Sequence, residues 1–370
     1  MASARFLRHT GPVALDLDPG LAALGDPQLV RAIIDEMDGG AISFERFMEL
    51  ALYHPAHGYY RKPGRVGPSG DFLTSPHMHP MFGWAVAAWL QNLWQALGSP
   101  PEFTVFEPGA GDGRLASAIL DWAEGRDPAF RAAIRYVAIE PNATGDDPRV
   151  QWATPPVTPA PVGAVITNEL IDAFPVRLFE VTSRGPAEVL VRWDGERFAE
   201  VRGPIAILDE HPEAGRFEVN TRAYPAMRSL CSLVERGAVL VFDYGYPQDE
   251  LWASWRTTGT LLCFYRHTAH EDPYIHVGEQ DITTHVNFSE LASAAEDEGF
   301  AVLGPVSQSE FLFSLGLGSL VDAARNDMGE YFTRRRALES LTDAAGLGRI
   351  RVLAATRGVE GGLPGFEVQP

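Results

Sequence analysis

The segment Val105-Phe106-Glu107-Pro108-Gly109-Ala110-Gly111-Asp112-Gly113-Arg114-Leu115 limits the possible folds more than any other. A short apolar strand ends in an acid, a glycine-rich turn follows, and a helix begins. Glycines let a backbone adopt positive φ and approach a ligand closely. The same alternation continues downstream. Thr104 to Glu107 reads as a strand, Arg114 to Glu124 as a helix, Tyr136 to Glu140 as a strand and Ala164 to Thr167 as another. Val219 to Arg236 reads as a helix and Ala238 to Asp243 as a strand. Strands alternating with helices predict an open α/β sheet with parallel pairing, which binds ligands at the carboxyl ends of its strands.

Other stretches depart from this rhythm. Residues 27–54 are helical by spacing, with Leu29, Ile33, Ile34 and Met37 on one face and Ser43 opening a second helix that ends at His54-Pro55. A Gly/Pro-rich loop at 55–76 precedes an apolar helix at 78–97. Arg177 to Val181, Glu188 to Trp193 and Phe198 to Val201 alternate in the β manner, with Asp194-Gly195 as a turn, and predict a hairpin-rich insertion. Gly259 to Tyr265 reads as a strand and 288–298 as a helix, and Phe300 to Val306 and Arg349 to Ala355 read as closing strands. The expected organisation is a helical segment with a closing loop at 1–100, a cofactor-binding half at 101–176, the insertion at 177–218, and the second half of the sheet at 219–370 with a substrate lip at 244–288.

The glycines at 109, 111 and 113 alternate, whereas a dinucleotide fold needs its third glycine where Arg114 stands. Glu107, just before the turn, suits the ammonium of S-adenosylmethionine and would repel a pyrophosphate. Glu140, ending the next strand, can accept hydrogen bonds from two ribose hydroxyls, as it would from either nucleoside cofactor. The expected cofactor is therefore S-adenosylmethionine. A nicotinamide oxidoreductase fits Arg114 and Glu107 poorly, and a tight turn without a ligand is the plainest alternative.

Asn168-Glu169-Leu170-Ile171-Asp172-Ala173-Phe174-Pro175 follows the next strand, where an acceptor would meet the cofactor. Asn168 can hydrogen-bond acceptor or cofactor. Glu169 and Asp172 are three apart and share a face on a helical turn. Paired carboxylates can hold a guanidinium in a planar fork; the alternative is acids placed for a helix dipole. Asp243 ends another strand at the same rim, with Tyr244 and Tyr246 beside it, in a catalytic or a loop-holding role. His267, His270, His276 and His285 crowd a stretch with Asp272, Glu279 and Asp281. That stretch reads as an ordered substrate lip, a solvated loop or a metal site of no standard spacing, and no metal is expected.

A net charge of −19 argues against nucleic acid, which requires a basic face; the longest basic run is Arg334-Arg335-Arg336. No apolar stretch is long enough to insert in a bilayer. Cys231 and Cys263 allow one disulfide at most and read as small buried side chains.

Taken together, these motifs resemble the MidA family of class I S-adenosylmethionine-dependent methyltransferases. The resemblance runs nearly end to end, through Ile42-Ser43-Phe44, Tyr53-His54-Pro55, Gly58-Tyr59-Tyr60, Gly70-Asp71-Phe72, Thr74-Ser75-Pro76, Phe82-Gly83 and the glycine turn. It continues through the 168–175 motif, Asp243-Tyr244-Gly245, Gly259-Thr260-Leu261, Asp281-Ile282-Thr283, His285-Val286-Asn287-Phe288, Gln308 and Phe311-Leu312. It implies a Rossmann-like seven-stranded sheet with an added helical part, and S-adenosylmethionine as cofactor. It also implies that Gly70, Asp71, Thr74 and Ser75 belong to a segment closing over that cofactor. Mitochondrial members are arginine methyltransferases acting in assembly of respiratory complex I. The resemblance thus implies a protein acceptor, an arginine of a complex I subunit, and a cytoplasmic location in a bacterium or the mitochondrial matrix in a eukaryote. His77 and Trp84 replace acids common in the family, and the stretch between Glu140 and Ala164 is short and Pro-rich. Transfer to a small molecule or another residue type, and a non-catalytic assembly factor that binds S-adenosylmethionine structurally, remain open on sequence grounds.

Overall fold

The computed structural model describes residues 19–62, 73–141 and 145–366. Gly70 and Asp71 lie outside them. The first part contains α1 (Pro19–Ala22), α2 (Pro27–Met37), β1 (Ala41–Ser43), α3 (Phe44–Tyr53), α4 (Ser75–Met78) and α5 (Met81–Ala96). Caps set two of these starts: the Asp26 side chain accepts the Gln28 and Leu29 amides, and Ser43 accepts the Arg46 amide. Helix α5 is apolar on most sides and is buried over Phe82, Val86, Trp89 and Leu90.

The main sheet begins with β2 (Phe103–Pro108), followed by α6 (Arg114–Arg126), α7 (Pro128–Ala133), β3 (Ile134–Ile139), β4 (Val150–Ala153) and β5 (Ala160–Asn168). The insertion follows as β6 (Arg177–Thr182), β7 (Gly185–Trp193), β8 (Phe198–Ile205) and β9 (Arg216–Val219). The chain returns through α8 (Ala223–Cys231), β10 (Val234–Asp243), β11 (Gly245–Tyr246), α9 (Gln248–Leu251), β12 (Leu262–Tyr265), β13 (Thr268–His270), β14 (Asp281–Thr283) and β15 (Val286–Asn287). It ends in α10 (Phe288–Asp297), β16 (Ala301–Ser307), α11 (Gln308–Ser314), α12 (Leu317–Asp322), α13 (Met328–Leu341) and β17 (Arg351–Arg357).

Seven strands form one sheet in the order β16-β17-β10-β5-β2-β3-β4. Pairing is parallel from β10 to β4, and β17 runs antiparallel to both β10 and β16. This is the expected α/β architecture. Its inner strands are buried on both faces: Leu240 and Phe242 enter one core, Val239 and Val241 the other. From β2 the chain moves outward to β3 and β4, then crosses to β5 and β10 on the other side. The strand order therefore reverses between β2 and β5, which opens a crevice at their carboxyl ends.

The insertion strands form a second sheet in the order β1-β7-β6-β9, with β8 beside β7. Helices α2 and α3 cover it in a third core containing Phe44, Phe47, Val191 and Phe198. The pairing of β1 with β7 ties the N-terminal helices to the insertion. One local expectation is corrected: 219–236 is not a single helix. Val219 closes β9, only Ala223–Cys231 is helical, and Val234 already pairs with Ala160 in the parallel ladder. The β5 ladder and the stacking of Phe217 on Phe179 outweigh the helical spacing here. Among the described residues no helix is long and apolar enough to cross a membrane.

Candidate active site

The glycine turn joins β2 to α6 at the crevice. Gly109, Gly111 and Gly113 all have positive φ, at 74°, 55° and 78°. A Cβ at Gly109 would lie 2.9 Å from the Leu170 Cδ1 atom, which places the turn against the 168–175 loop, and the positive φ there favours glycine. A Cβ at Gly111 would meet no atom of the described residues within 4 Å. Glu107 is buried at the end of β2 and accepts the Tyr136 hydroxyl at 2.8 Å. Burial pushes its carboxyl up to about 8, against the lowering effect of that hydrogen bond. Glu140 follows β3 and accepts the Gly111 amide at 3.3 Å, which holds its carboxylate against the turn.

The loop after β5 forms the second half of the site. Glu169 sits at φ 51°, in the left-handed region that non-glycine residues rarely adopt; such strain gathers at functional sites. Its carboxylate accepts the Asn168 Nδ2 at 2.9 Å and the Ser75 backbone amide. The Asn168 Oδ1 and Thr167 Oγ1 atoms are buried with no hydrogen-bond partner among the described residues. Asp243, fully buried, accepts the Ile171 amide at 2.8 Å, the Leu170 amide at 3.3 Å and the Tyr244 amide at 3.0 Å. Its oxygens therefore hold the loop, which favours the positioning role over direct contact with a substrate.

The structure brings the half-buried Glu169 together with Asp172 and Asp243, which are buried. Burial pushes Glu169 up to about 8 and Asp243 to about 7, and raises Asp172 well above the usual carboxylate range. Charge on Asp243 and Glu169 opposes ionisation of Asp172 further. None of the three forms an ion pair among the described residues. Ser75 reaches the same place through its backbone amide, while its hydroxyl donates to Gln308 Oε1 at 2.9 Å and the adjacent Thr74 pairs with His77 Nδ1 at 2.7 Å.

Sequence reasoning missed several partners. Tyr136 supports Glu107 from the neighbouring strand. Tyr53 donates to the Ala173 carbonyl at 3.0 Å, and Tyr60, stacked on Tyr53, donates to Asp281 Oδ1 at 2.8 Å. Trp152 would stand 2.9 Å from a Cβ at Gly113. The aromatic residues of the 53–60 motif were the one available signal. In the histidine-rich stretch, no group of His, Cys, Asp and Glu suited to a metal occurs among the described residues.

The donor set fits S-adenosylmethionine: a glycine turn with positive φ at three positions, a buried acid for an ammonium, a second acid at the next strand end, and at the third a buried amide oxygen with no partner among the described residues. The strand order and these groups define the class of S-adenosylmethionine-dependent methyltransferases. Residues 85–306 match the family described as "Putative S-adenosyl-L-methionine-dependent methyltransferase". A crystal structure of a "likely methyl transferase" from Burkholderia thailandensis, bound to S-adenosyl-homocysteine, is 30% identical, covers 97% of each chain and superposes with a TM-score of 0.83. The mouse mitochondrial protein arginine methyltransferase NDUFAF7 is 28% identical over 341 residues, 81% of this chain and 76% of that one. Its Drosophila melanogaster homolog is 27% identical over 371 residues, 86% and 82%. The chain belongs to this methyltransferase family, the MidA family to which its motifs pointed, and S-adenosylmethionine is its cofactor.

Proposed function

We propose that this methyltransferase acts on an arginine guanidinium of a partner protein. The observation that carries the reading is the group of carboxylates formed by the buried Asp172 and Asp243 with the half-buried Glu169, next to the glycine turn and without a basic partner among the described residues. Buried charges are tolerated when paired, and a guanidinium is the planar cation that two carboxylates hold best. The names of the mouse and Drosophila relatives support the same acceptor.

S-adenosylmethionine supplies an activated methyl group when bound. Glu107 and Glu140 hold the cofactor, with Thr74, Ser75 and the Asn168 amide closing the site; Gly70 and Asp71 belong to this assignment by resemblance. Glu169 and Asp172 grip the guanidinium and hold its charge on their side, leaving the far nitrogen richer in electrons. Held ionised by the guanidinium it grips, Glu169 keeps the high proton affinity of its site, near 8, and so receives the proton that the nitrogen loses on methylation. Asp243 fixes the turn that carries both. Family resemblance extends the reading to a complex I subunit as acceptor and to the cytoplasm of a bacterial cell as location.

The test is transfer of labelled methyl into protein extract by wild type and by Glu169→Gln. The reading expects label on arginine with wild type, and a loss of roughly a hundredfold in the variant, with cofactor affinity unchanged. Label on a small molecule or another residue type would refute it.

A further inference from the structure

Beside the acid well lies a group of opposite character. At the register of β10 with β17, Asp243 faces Arg351. Around the Tyr246 ring stand Arg256, with Cζ 4.8 Å from the centroid, Arg351 at 5.5 Å, and the His285 ring at 5.2 Å. Arg349 reaches across, with Nη2 3.1 Å from His285 Nε2 and Cζ 5.7 Å from the Tyr244 centroid. A guanidinium can only donate. His285 Nε2 therefore accepts, and the ring proton sits on Nδ1. Burial beside Arg349 and Arg256 keeps this imidazole neutral.

Three buried N–H groups then have no acceptor among the described residues: Arg256 Nε, Arg351 Nε and His285 Nδ1. Each is a donor. Arg256 and Arg349 form no ion pair among the described residues, while Arg351 has Glu250 at 3.5 Å and feels Glu310. Donors left buried without acceptors cost stability unless something meets them. A set made only of donors, two of them on cations, is suited to an oxyanion.

We propose that Arg256, Arg349, Arg351 and His285 form a subsite for a carboxylate of the acceptor protein, close to the arginine that is methylated. The proposal rests on the arginine reading above for its acceptor. Along the rim the glycine turn follows β2, the acid well lies at the ends of β5 and β10, and the donor group gathers near Arg351, which opens β17 opposite Asp243. Strands are spaced about 4.8 Å apart and an extended chain rises about 3.3 Å per residue. A carboxylate about two or three residues from the target arginine would span the two. Tyr244 stands between them, within the field of Glu169 and Asp172 on one side and Arg349 on the other. The acceptor is thus read by two opposite charges in a fixed order.

Two measurements on the full chain test this. The first compares methyl transfer to two arginine peptides that differ by Glu against Gln near the arginine. The expected KM is roughly tenfold lower for the Glu peptide at equal kcat. Replacing Arg256 and Arg351 together with Gln should erase that difference and leave the Gln peptide unaffected. Equal KM values in the wild type would overturn the subsite while leaving the arginine reading intact. The second titrates inorganic phosphate into the wild-type enzyme without acceptor and follows the side-chain N–H resonances of Arg256, Arg351 and His285. Saturable shifts are expected, and still resonances would overturn the proposal. If phosphate binds but neither peptide is methylated, the subsite stands and the arginine reading fails.

Discussion

The Asp243 carboxylate accepts the Ile171 amide at 2.8 Å, so the end of one core strand fixes the turn that follows its neighbour. The same carboxylate takes the Leu170 and Tyr244 amides. Asp243→Ala leaves these buried donors unmet and is expected to cost about 2–4 kcal/mol of stability. Asp243→Asn keeps one acceptor oxygen and should recover part of the loss. Denaturant unfolding of both variants checks this; equal stability of the alanine variant and wild type would remove the positioning role.

Glu107 is predicted to sense the cofactor's charge. Bringing an ammonium to a buried carboxyl held near 8 favours its ionised form, with release of a proton. Affinity for S-adenosylmethionine should therefore rise as pH increases toward about 8. Glu107→Gln keeps an acceptor for Tyr136, should weaken binding roughly tenfold, about 1.4 kcal/mol, and should flatten the pH dependence. Calorimetric titration in buffers of different ionisation enthalpy reads both the affinity and the proton count.

Tyr53 ties the acceptor loop to α3 through the Ala173 carbonyl at 3.0 Å. Tyr53→Phe removes that one hydrogen bond and keeps the ring stacked on Tyr60. The expected loss is about 1 kcal/mol of stability, with a rise in KM for the acceptor and no change in cofactor affinity. A change in cofactor affinity with KM unmoved would place Tyr53 in the other half of the site.

Stability should fall on the alkaline side. Glu107 and Glu169 are raised to about 8 and Asp243 to about 7, from ordinary values of 4.5 and 3.8. Over that interval the folded chain keeps protons that the unfolded chain has released. Their contribution is fully present below the ordinary carboxyl range and is lost as pH rises through 7–8. Scanning calorimetry of the ligand-free protein should show a falling melting temperature through this window, with a shallower fall for Glu169→Gln. A rising melting temperature would contradict the buried acid well.

The parts of this site legible in sequence are those whose chemistry is local. Gly109, Gly111 and Gly113 announce a backbone that needs positive φ, and Glu107 and Glu140 stand where apolar runs stop. The 168–175 loop reads as acidic from its residues alone. What sequence leaves out is pairing across distance. Tyr136 meets Glu107 only because β2 and β3 lie side by side, and Tyr53 meets Ala173 from 120 residues away. The three-residue strand β1 is too short to show a period, so its place beside β7 is set by tertiary packing. Arg256, Arg351 and His285 lie far apart in the sequence, and only the fold gathers them around Tyr246 with N–H groups that have no acceptor among the described residues.

The central claim is that the crevice between β2 and β5 sets a methyl donor beside a buried grip for a guanidinium. The most direct measurement incubates the enzyme with methyl-labelled S-adenosylmethionine and protein extract, hydrolyses the labelled protein to amino acids, and separates them. The account predicts label in methylarginine with wild type and almost none with Glu169→Gln at equal cofactor binding. Label in any other amino acid, or equal methylarginine from both proteins, would contradict it.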